Sequence, residues 1–431
     1  MHYFYYKGKE LYCEDVSLAN LAKECGTPLY VYSNQTLVRH FQVLNSAFAE
    51  IDHQVCYAVK ANSNLAVINT LARLGSGFDI VSEGELHRVI SAGGNPQLCV
   101  FAGVGKTEPE IKFALENNIY SFNVESQPEI ERIDKIAGRL GVKAPIAVRV
   151  NPNVDAHTHS KITTGTYENK FGIGFGQIPF VYEWASRLKN LHLKGIQMHI
   201  GSQLTSVKPF EEVVKKVAPI AIELKNKYNI EFFNIGGGIG IVYNNALASG
   251  KPAWWKKPEQ KRILTPELYA NRLIPMLKKT GLKILLEPGR FIAGNAGVLI
   301  TKVEYIKKTG HKNFIIVDAG MNDLIRPTFY DAYHEIVPLV RGSSGTIKAD
   351  VVGPICESGD YFCKDRVLPK VKQGDYLAIM SAGAYGSVMG SNYNTRPFPT
   401  EVMVNNSRHF VVRKRQPVEK IWELESIPEQ E

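Results

Sequence analysis

At 431 residues, 44% of them hydrophobic and 22% charged, the chain has the composition of an ordinary folded protein and enough length for two domains, or a barrel with an appendage. Its aromatic and charged opening, MHYFYYKGKELYCED, has no apolar leader and no later run is apolar for long enough to span a bilayer, so the expectation is a cytoplasmic protein with no membrane partner. The net charge of +9 comes from 51 basic residues interleaved with 42 acidic ones, and the six cysteines form no CxxC pair; neither a nucleic-acid partner, a disulfide framework nor a metal site is expected.

In chain order, the strand-like LYVYS at residues 29–33 comes first, followed by eight short apolar, β-branched runs at residues 55–59, 78–82, 98–102, 121–124, 146–150, 195–200, 232–235 and 283–286. Between them lie stretches with helical spacing, such as residues 83–92 and 211–228. Eight βα units in succession predict a closed (β/α)8 barrel of the TIM type, an α/β fold. After Gly294 the pattern changes to strand-like runs, as at residues 314–318 and 376–380, separated by Gly-rich turns. This predicts a barrel over 34–283 and a mainly β domain made of 1–33 with 284–431.

A barrel of this kind carries its chemistry at the C-terminal ends of its strands. Four motifs fall there: YAVK ending at Lys60, MHIGS from Met198 to Ser202, IGGG ending at Gly238 and EPGR from Glu287 to Arg290. A lysine at a barrel mouth can form a Schiff base with an aldehyde cofactor, although most lysines only solvate a surface. Gly236, Gly237 and Gly238 let backbone N–H groups approach a phosphate, or simply make a tight turn. Glu287 can keep a pyridine nitrogen protonated, and His199 can stack on such a ring or serve as a core histidine.

The motifs YAVKAN, FDIVSEGEL, MHIGSQ, NIGGGIG, LLEPGR, CESGD and GAYG, in this order over nearly the whole chain, resemble the group IV, barrel-fold (fold type III, alanine racemase-like) pyridoxal-phosphate-dependent decarboxylases. Within that group FAGVGKT, KFGIGF and MNDLIRPTFYDAYHE are more similar to the diaminopimelate decarboxylases than to the ornithine or arginine enzymes. The resemblance implies a pyridoxal 5′-phosphate cofactor linked to Lys60. It places His199 on the ring face, Ser202 and the turn of Gly236 to Gly238 around the phosphate, Glu287 on the pyridine nitrogen, and Asp79, Gly289, Arg290 and Tyr385 near the cofactor. It also implies a homodimer in which Cys356, the expected proton donor, and Glu357 reach the site from the other subunit.

Meso-diaminopimelate ends in a second amino acid group, and holding it calls for a guanidinium and an acid together. Arg290, Arg326 and Tyr330 are the candidates for its carboxylate and Glu357 for its ammonium, with Tyr385 a further substrate-binding candidate. The expected reaction releases CO2 and L-lysine, the last step of lysine biosynthesis. Three other readings share the motifs: a decarboxylase of another basic amino acid or of carboxynorspermidine, a non-catalytic regulator that keeps the barrel, and an alanine racemase, which CESGD and the acidic Glu287 oppose. Other patterns are set aside. Gly103-Val-Gly-Lys-Thr107 lacks the first glycine of a Walker loop, where Val100 stands. His157 and His159 have no third ligand at metal spacing. The basic stretch around Trp254 and Trp255 suggests a surface loop near the barrel mouth more than a base-stacking platform.

Overall fold

The computed structural model describes residues 1–154, 170–260, 263–342 and 345–429; His157 and His159 lie outside them. The chain divides into two compact units. One comprises residues 37–241 and 258–292, the other 1–36, 242–257 and 293–431.

The first unit is a closed parallel barrel of eight strands: β1 (His53–Ala58), β2 (Gly77–Ile80), β3 (Cys99–Phe101), β4 (Ser121–Val124), β5 (Ala144–Asn151), β6 (Leu191–Met198), β7 (Phe232–Asn234) and β8 (Lys283–Leu286). Each pairs with the next, and β8 pairs with β1 to close the ring. The strands read as nearly continuous apolar runs because parallel strands under a ring of helices are covered on both faces; β2, β3, β4 and β7 are buried at every residue. Cys56, Val100, Ala147, Phe232 and Leu285 fill the barrel with side chains from five different strands.

The helices around it start and stop where local chemistry dictates. Ser82, Ser126 and Thr265 cap the helices Glu83–Ser91, Gln127–Leu140 and Pro266–Leu277 by accepting from backbone N–H groups inside the first turn. Gln127–Leu140 buries Ile130, Ile133, Ile136 and Ala137 on one face and ends at Gly141, which takes a left-handed conformation. The expected boundary at 283/284 would cut β8 in two. Residues 284–292 instead group with the barrel, since Ile284 to Leu286 are laddered to β1.

The second unit is mainly β. Its central strand, Gly297–Lys308, pairs antiparallel with Leu29–Ser33 and Tyr376–Ile379 along its first half and with Asn313–Val317 along its second. Leu29–Ser33 pairs in turn with Thr400–Asn405. The shared core holds Leu18, Leu29, Val31, Val298, Ile300, Leu339, Val402 and Val404. Residues 242–257 also belong to this unit and form the short helices Ala246–Ser249 and Pro252–Trp255. Trp254 is buried there and stacks edge-on against Trp255, whose indole N–H donates to Ser249 O (2.7 Å). The pair is therefore part of the unit's own packing, and Trp254 presents no face on which a base could stack.

Candidate functional site

Parallel register places the first two candidates side by side. Ala58 of β1 is level with Asp79 of β2, and Lys60 follows two residues beyond Ala58 in the single turn that ends the strand. Lys60 Nζ forms an ion pair with Asp79 Oδ2. Asp79 is buried and its other oxygen has no hydrogen-bond partner among the described residues, so part of a buried carboxylate is left for something else to satisfy.

Glu287, the first residue after β8, is buried at the centre of a polar floor that strand geometry builds. Asn123 of β4 and Asn234 of β7 donate to its Oε1 at 3.0 and 2.7 Å, and Gln197 of β6 donates to Oε2 at 3.2 Å. Burial, reinforced by the negative charge of Asp79, pushes the Glu287 carboxyl up to about 7. The side-chain oxygens of Asn123 and Gln197 are buried without a hydrogen-bond partner among the described residues. His199, just past β6, accepts the Gly237 N–H at Nδ1 (3.2 Å). Burial first, then the positive charges of Arg149 and Lys60, hold its imidazole well below the usual histidine value, so the ring is neutral near pH 7.

The turn after β7 must be glycine. Gly236 has φ +70, and a side chain on it would stand 2.4 Å from Met198 O; at Gly237 it would stand 2.1 Å from Glu287 O. The turn is thus seated between the ends of β6 and β8, with Gly236 O accepting from the Glu287 N–H (2.9 Å). Ser202 Oγ accepts from Arg290 Nε and Nη2 at 3.3 and 3.0 Å. Gly289 lies against Ala58 and Ala61, where an added side chain would come within 3.1 Å of both. All ten barrel-borne candidates therefore come together at one rim.

The remaining candidates lie in the other unit. Arg326 opens the short helix Arg326–Tyr330 and is buried, with its guanidinium over the rings of Tyr243 (5.1 Å) and Tyr330 (5.9 Å). Thr328 of this helix donates to Gly359 O (2.5 Å), which ties it to the loop carrying Cys356 and Glu357. Both of those residues are exposed. Their loop is held by Asp360, which accepts the Ile355 and Met321 N–H groups at 2.7 Å each, and by Asn394, which accepts the Cys356 N–H at 2.8 Å. Tyr385 sits on a separate loop with φ +55, a conformation rare for a bulky residue and typical of functional positions.

Several residues of the rim were not singled out from the sequence. Asn234 had a signal as the polar residue of an otherwise apolar strand and is therefore more informative than its neighbours; Asn123 shares its strand with Ser121, and Gln197 shares its strand with His192 and Lys194, which dilutes theirs. Arg149, paired with Glu125 at 3.1 Å in a buried bridge, had the same signal within IAVRVN. Glu85 had none: it is raised to about 7 by burial, opposed by the charge of Lys60. The GVGKT lysine is structural, for Lys106 is buried against Glu129 (2.6 Å) and two backbone carbonyls.

Chemically, the rim offers a primary amine, a neutral imidazole, a glycine turn with a serine and an arginine, and a buried carboxyl able to keep a proton near neutrality. This donor set fits pyridoxal phosphate: its aldehyde, ring, phosphate and pyridine nitrogen each find a matching group, and the unsatisfied Asp79 oxygen marks a polar space to be filled.

Comparison with known proteins agrees. Residues 34–294, more than half of the chain, match the family model described as pyridoxal-dependent decarboxylase, pyridoxal binding domain. The chain is 50% identical to the diaminopimelate decarboxylase of Vibrio cholerae over 430 residues, covering 99% of each, and 47% identical to that of Aquifex aeolicus over 98% of this chain and 97% of the relative. Among solved structures it is similar to diaminopimelate decarboxylase from Helicobacter pylori complexed with L-lysine (TM-score 0.88, 42% identity, 94% of this chain and 98% of the other). It is also similar to the enzyme from M. jannaschii in co-complex with L-lysine (TM-score 0.91, 36% identity, 99% and 98%).

Proposed function

The chain belongs to the diaminopimelate decarboxylase family of pyridoxal-dependent decarboxylases, and from that premise we propose that it removes CO2 from meso-2,6-diaminopimelate, leaving L-lysine, with the residues described above in the following roles. The observation that carries the reading is the rim itself, where Lys60, His199, the glycine turn and Glu287 meet within hydrogen-bonding or van der Waals reach of shared neighbours.

Lys60, Asp79, His199, Ser202, Gly236, Gly237, Gly238, Glu287, Gly289, Arg290 and Tyr385 would hold the cofactor. The chemistry supplied by bound pyridoxal phosphate is an electron-withdrawing ring that accepts the pair left when the carbon–carboxylate bond breaks. Glu287 sustains that withdrawal by keeping a proton opposite the pyridine nitrogen, which its raised proton affinity favours, while three amide donors hold the carboxyl in place. Asp79 orients the Lys60 amine. The neutral His199, with Nδ1 engaged by Gly237, offers an uncharged face to a ring and so does not oppose a positive charge developing on it. Cys356 Sγ delivers a proton to the carbon that has lost CO2. Arg326, Tyr330 and Arg290 bind the distal carboxylate and Glu357 the distal ammonium, a pairing that a diamine-forming enzyme does not need. A homodimer in the cytoplasm is part of the same proposal, supported by the exposure of Cys356 and Glu357 in the single chain and by free cysteines throughout. Among the described residues no helix is long and apolar enough to cross a membrane.

The test is CO2 and lysine release from purified, cofactor-loaded protein given meso-diaminopimelate, with ornithine, arginine, lysine and carboxynorspermidine in parallel. Lysine formed from diaminopimelate alone is the expected result. Turnover of another substrate instead would overturn the assignment of the distal end, and silence across the panel would overturn the enzymatic reading.

A further inference from the structure

Arg326 is buried, and a guanidinium cannot shed its charge inside a protein, so the way its five N–H donors are directed is set by its neighbours. One neighbour is unusual. Arg326 Nε donates to His334 Nε2 (3.3 Å), and the other ring nitrogen of His334, Nδ1, lies 2.8 Å from Met380 O. A carbonyl can only accept, so Nδ1 carries the proton; an arginine can only donate, so Nε2 carries none. The two partners together specify one neutral tautomer of a fully buried imidazole. A neutral acceptor at Nε turns the guanidinium without neutralising it, as a carboxylate there would, and the same bond directs the Nη edge, one of the two edges of a guanidinium that suit a carboxylate fork. Tyr243 completes the arrangement, with its ring under the Arg326 guanidinium (5.1 Å) and edge-on to His334 (5.2 Å). Its segment is fastened in turn by the Leu247 N–H, which donates to Glu335 next to His334 (2.8 Å).

We propose that His334 is a positioning residue for substrate choice: by accepting from Arg326 Nε it aims the guanidinium at the distal carboxylate, so that it governs affinity for ligands that bear this group and not for those that lack it. The inference rests on the reading of Arg326 given above.

The product provides the probe. L-Lysine retains the carboxylate that the reaction leaves untouched, and cadaverine is the same chain without it. Inhibition constants of both are measured on the holoenzyme and on three variants, with visible cofactor absorbance as the check of an intact barrel site. His334→Asn keeps a donor for Met380 O but loses the acceptor for Arg326, and is expected to weaken lysine about ten-fold while leaving cadaverine unchanged. His334→Gln, whose carbonyl can reach the Nε2 position, is expected to stay within about three-fold of the parent. Should the asparagine variant not fold, Tyr243→Leu takes its place, with the same expected selectivity for lysine. Equal loss of lysine and cadaverine, or a glutamine variant as damaged as the asparagine one, would show that His334 only fills space and overturn the proposal. Arg326→Lys separates the two levels: if it leaves lysine binding untouched, the reading of Arg326 itself fails. If it weakens lysine while neither His334→Asn nor Tyr243→Leu does, only the role of His334 fails.

Discussion

The two units hold their candidate residues in different ways. In the barrel, functional side chains stand at the ends of hydrogen-bonded strands, and each is fixed by groups from other strands: Asp79 beside Lys60, Gly237 on His199, and three strands around Glu287. In the second unit the candidates ride on loops and a helix of five residues, and their positions depend on a few side-chain hydrogen bonds, those of Asp360, Asn394, Thr328 and His334. A site for a cofactor with fixed shape benefits from the first arrangement, where regular backbone sets the positions. Discrimination among substrates that differ only at their far end can be set on loops, whose sequences change without disturbing a fold.

The comparison makes graded predictions. The largest effect belongs to Lys60→Ala, which should abolish the visible absorbance of bound cofactor and lower turnover by on the order of 10⁴-fold or more; a variant that kept both would remove Lys60 from the site. Glu287→Gln keeps the volume but not the ionisable carboxyl. It should lower kcat by about 10²-fold or more while the cofactor still binds, as read by absorbance and single-turnover rates. In the second unit, Asp360→Ala should cost roughly ten-fold in kcat through misplacement of Cys356 and leave cofactor absorbance unchanged. If it instead released the cofactor, the division of labour between the units would be wrong.

The smallest effect is the second unit's part of a pH slope to which His199 of the barrel adds a component of the same sign. His2 is buried with its Nε2 2.7 Å from Ala246 O, and burial lowers its value from 6.5 to about 4. The unfolded chain therefore takes up this proton first on acidification, so the contribution of His2 is fully present above about 6.5 and is lost as pH falls towards about 4. In urea titrations His2→Gln should remove that component of the slope between pH 6.5 and 4. An unchanged slope would show that His2 is not the group responsible.

Most of the barrel was legible because buried parallel strands repeat one simple pattern, β-branched and apolar, at regular spacing. The runs at 121–124 and 283–286 coincide with β4 and β8. The sixth was located by 195–200 but begins at Leu191, since His192 and Lys194 extend the ladder with polar side chains that break the apolar run. Residues 242–257 were not legible as part of the second unit. Their assignment depends on long-range bonds, such as His2 to Ala246 and Leu247 to Glu335, which no local periodicity announces. The same holds for the site. Lys60, His199 and Glu287 follow strand ends and could be read, whereas Glu85 and His334 stand out only through their tertiary neighbours and carry no spacing signal. His334 is one histidine among eleven until Arg326 and Met380 are seen on either side of its ring.

The central claim is that the barrel rim around Lys60 is where the cofactor is held. Borohydride reduction of the cofactor-loaded protein, followed by proteolysis and mass spectrometry of the peptides, tests it without reference to turnover. The account predicts a single pyridoxyl-phosphate adduct on the peptide containing Lys60, absent when meso-diaminopimelate is added in excess before reduction. An adduct on any other lysine, or none on protein that shows the cofactor's absorbance, would contradict it.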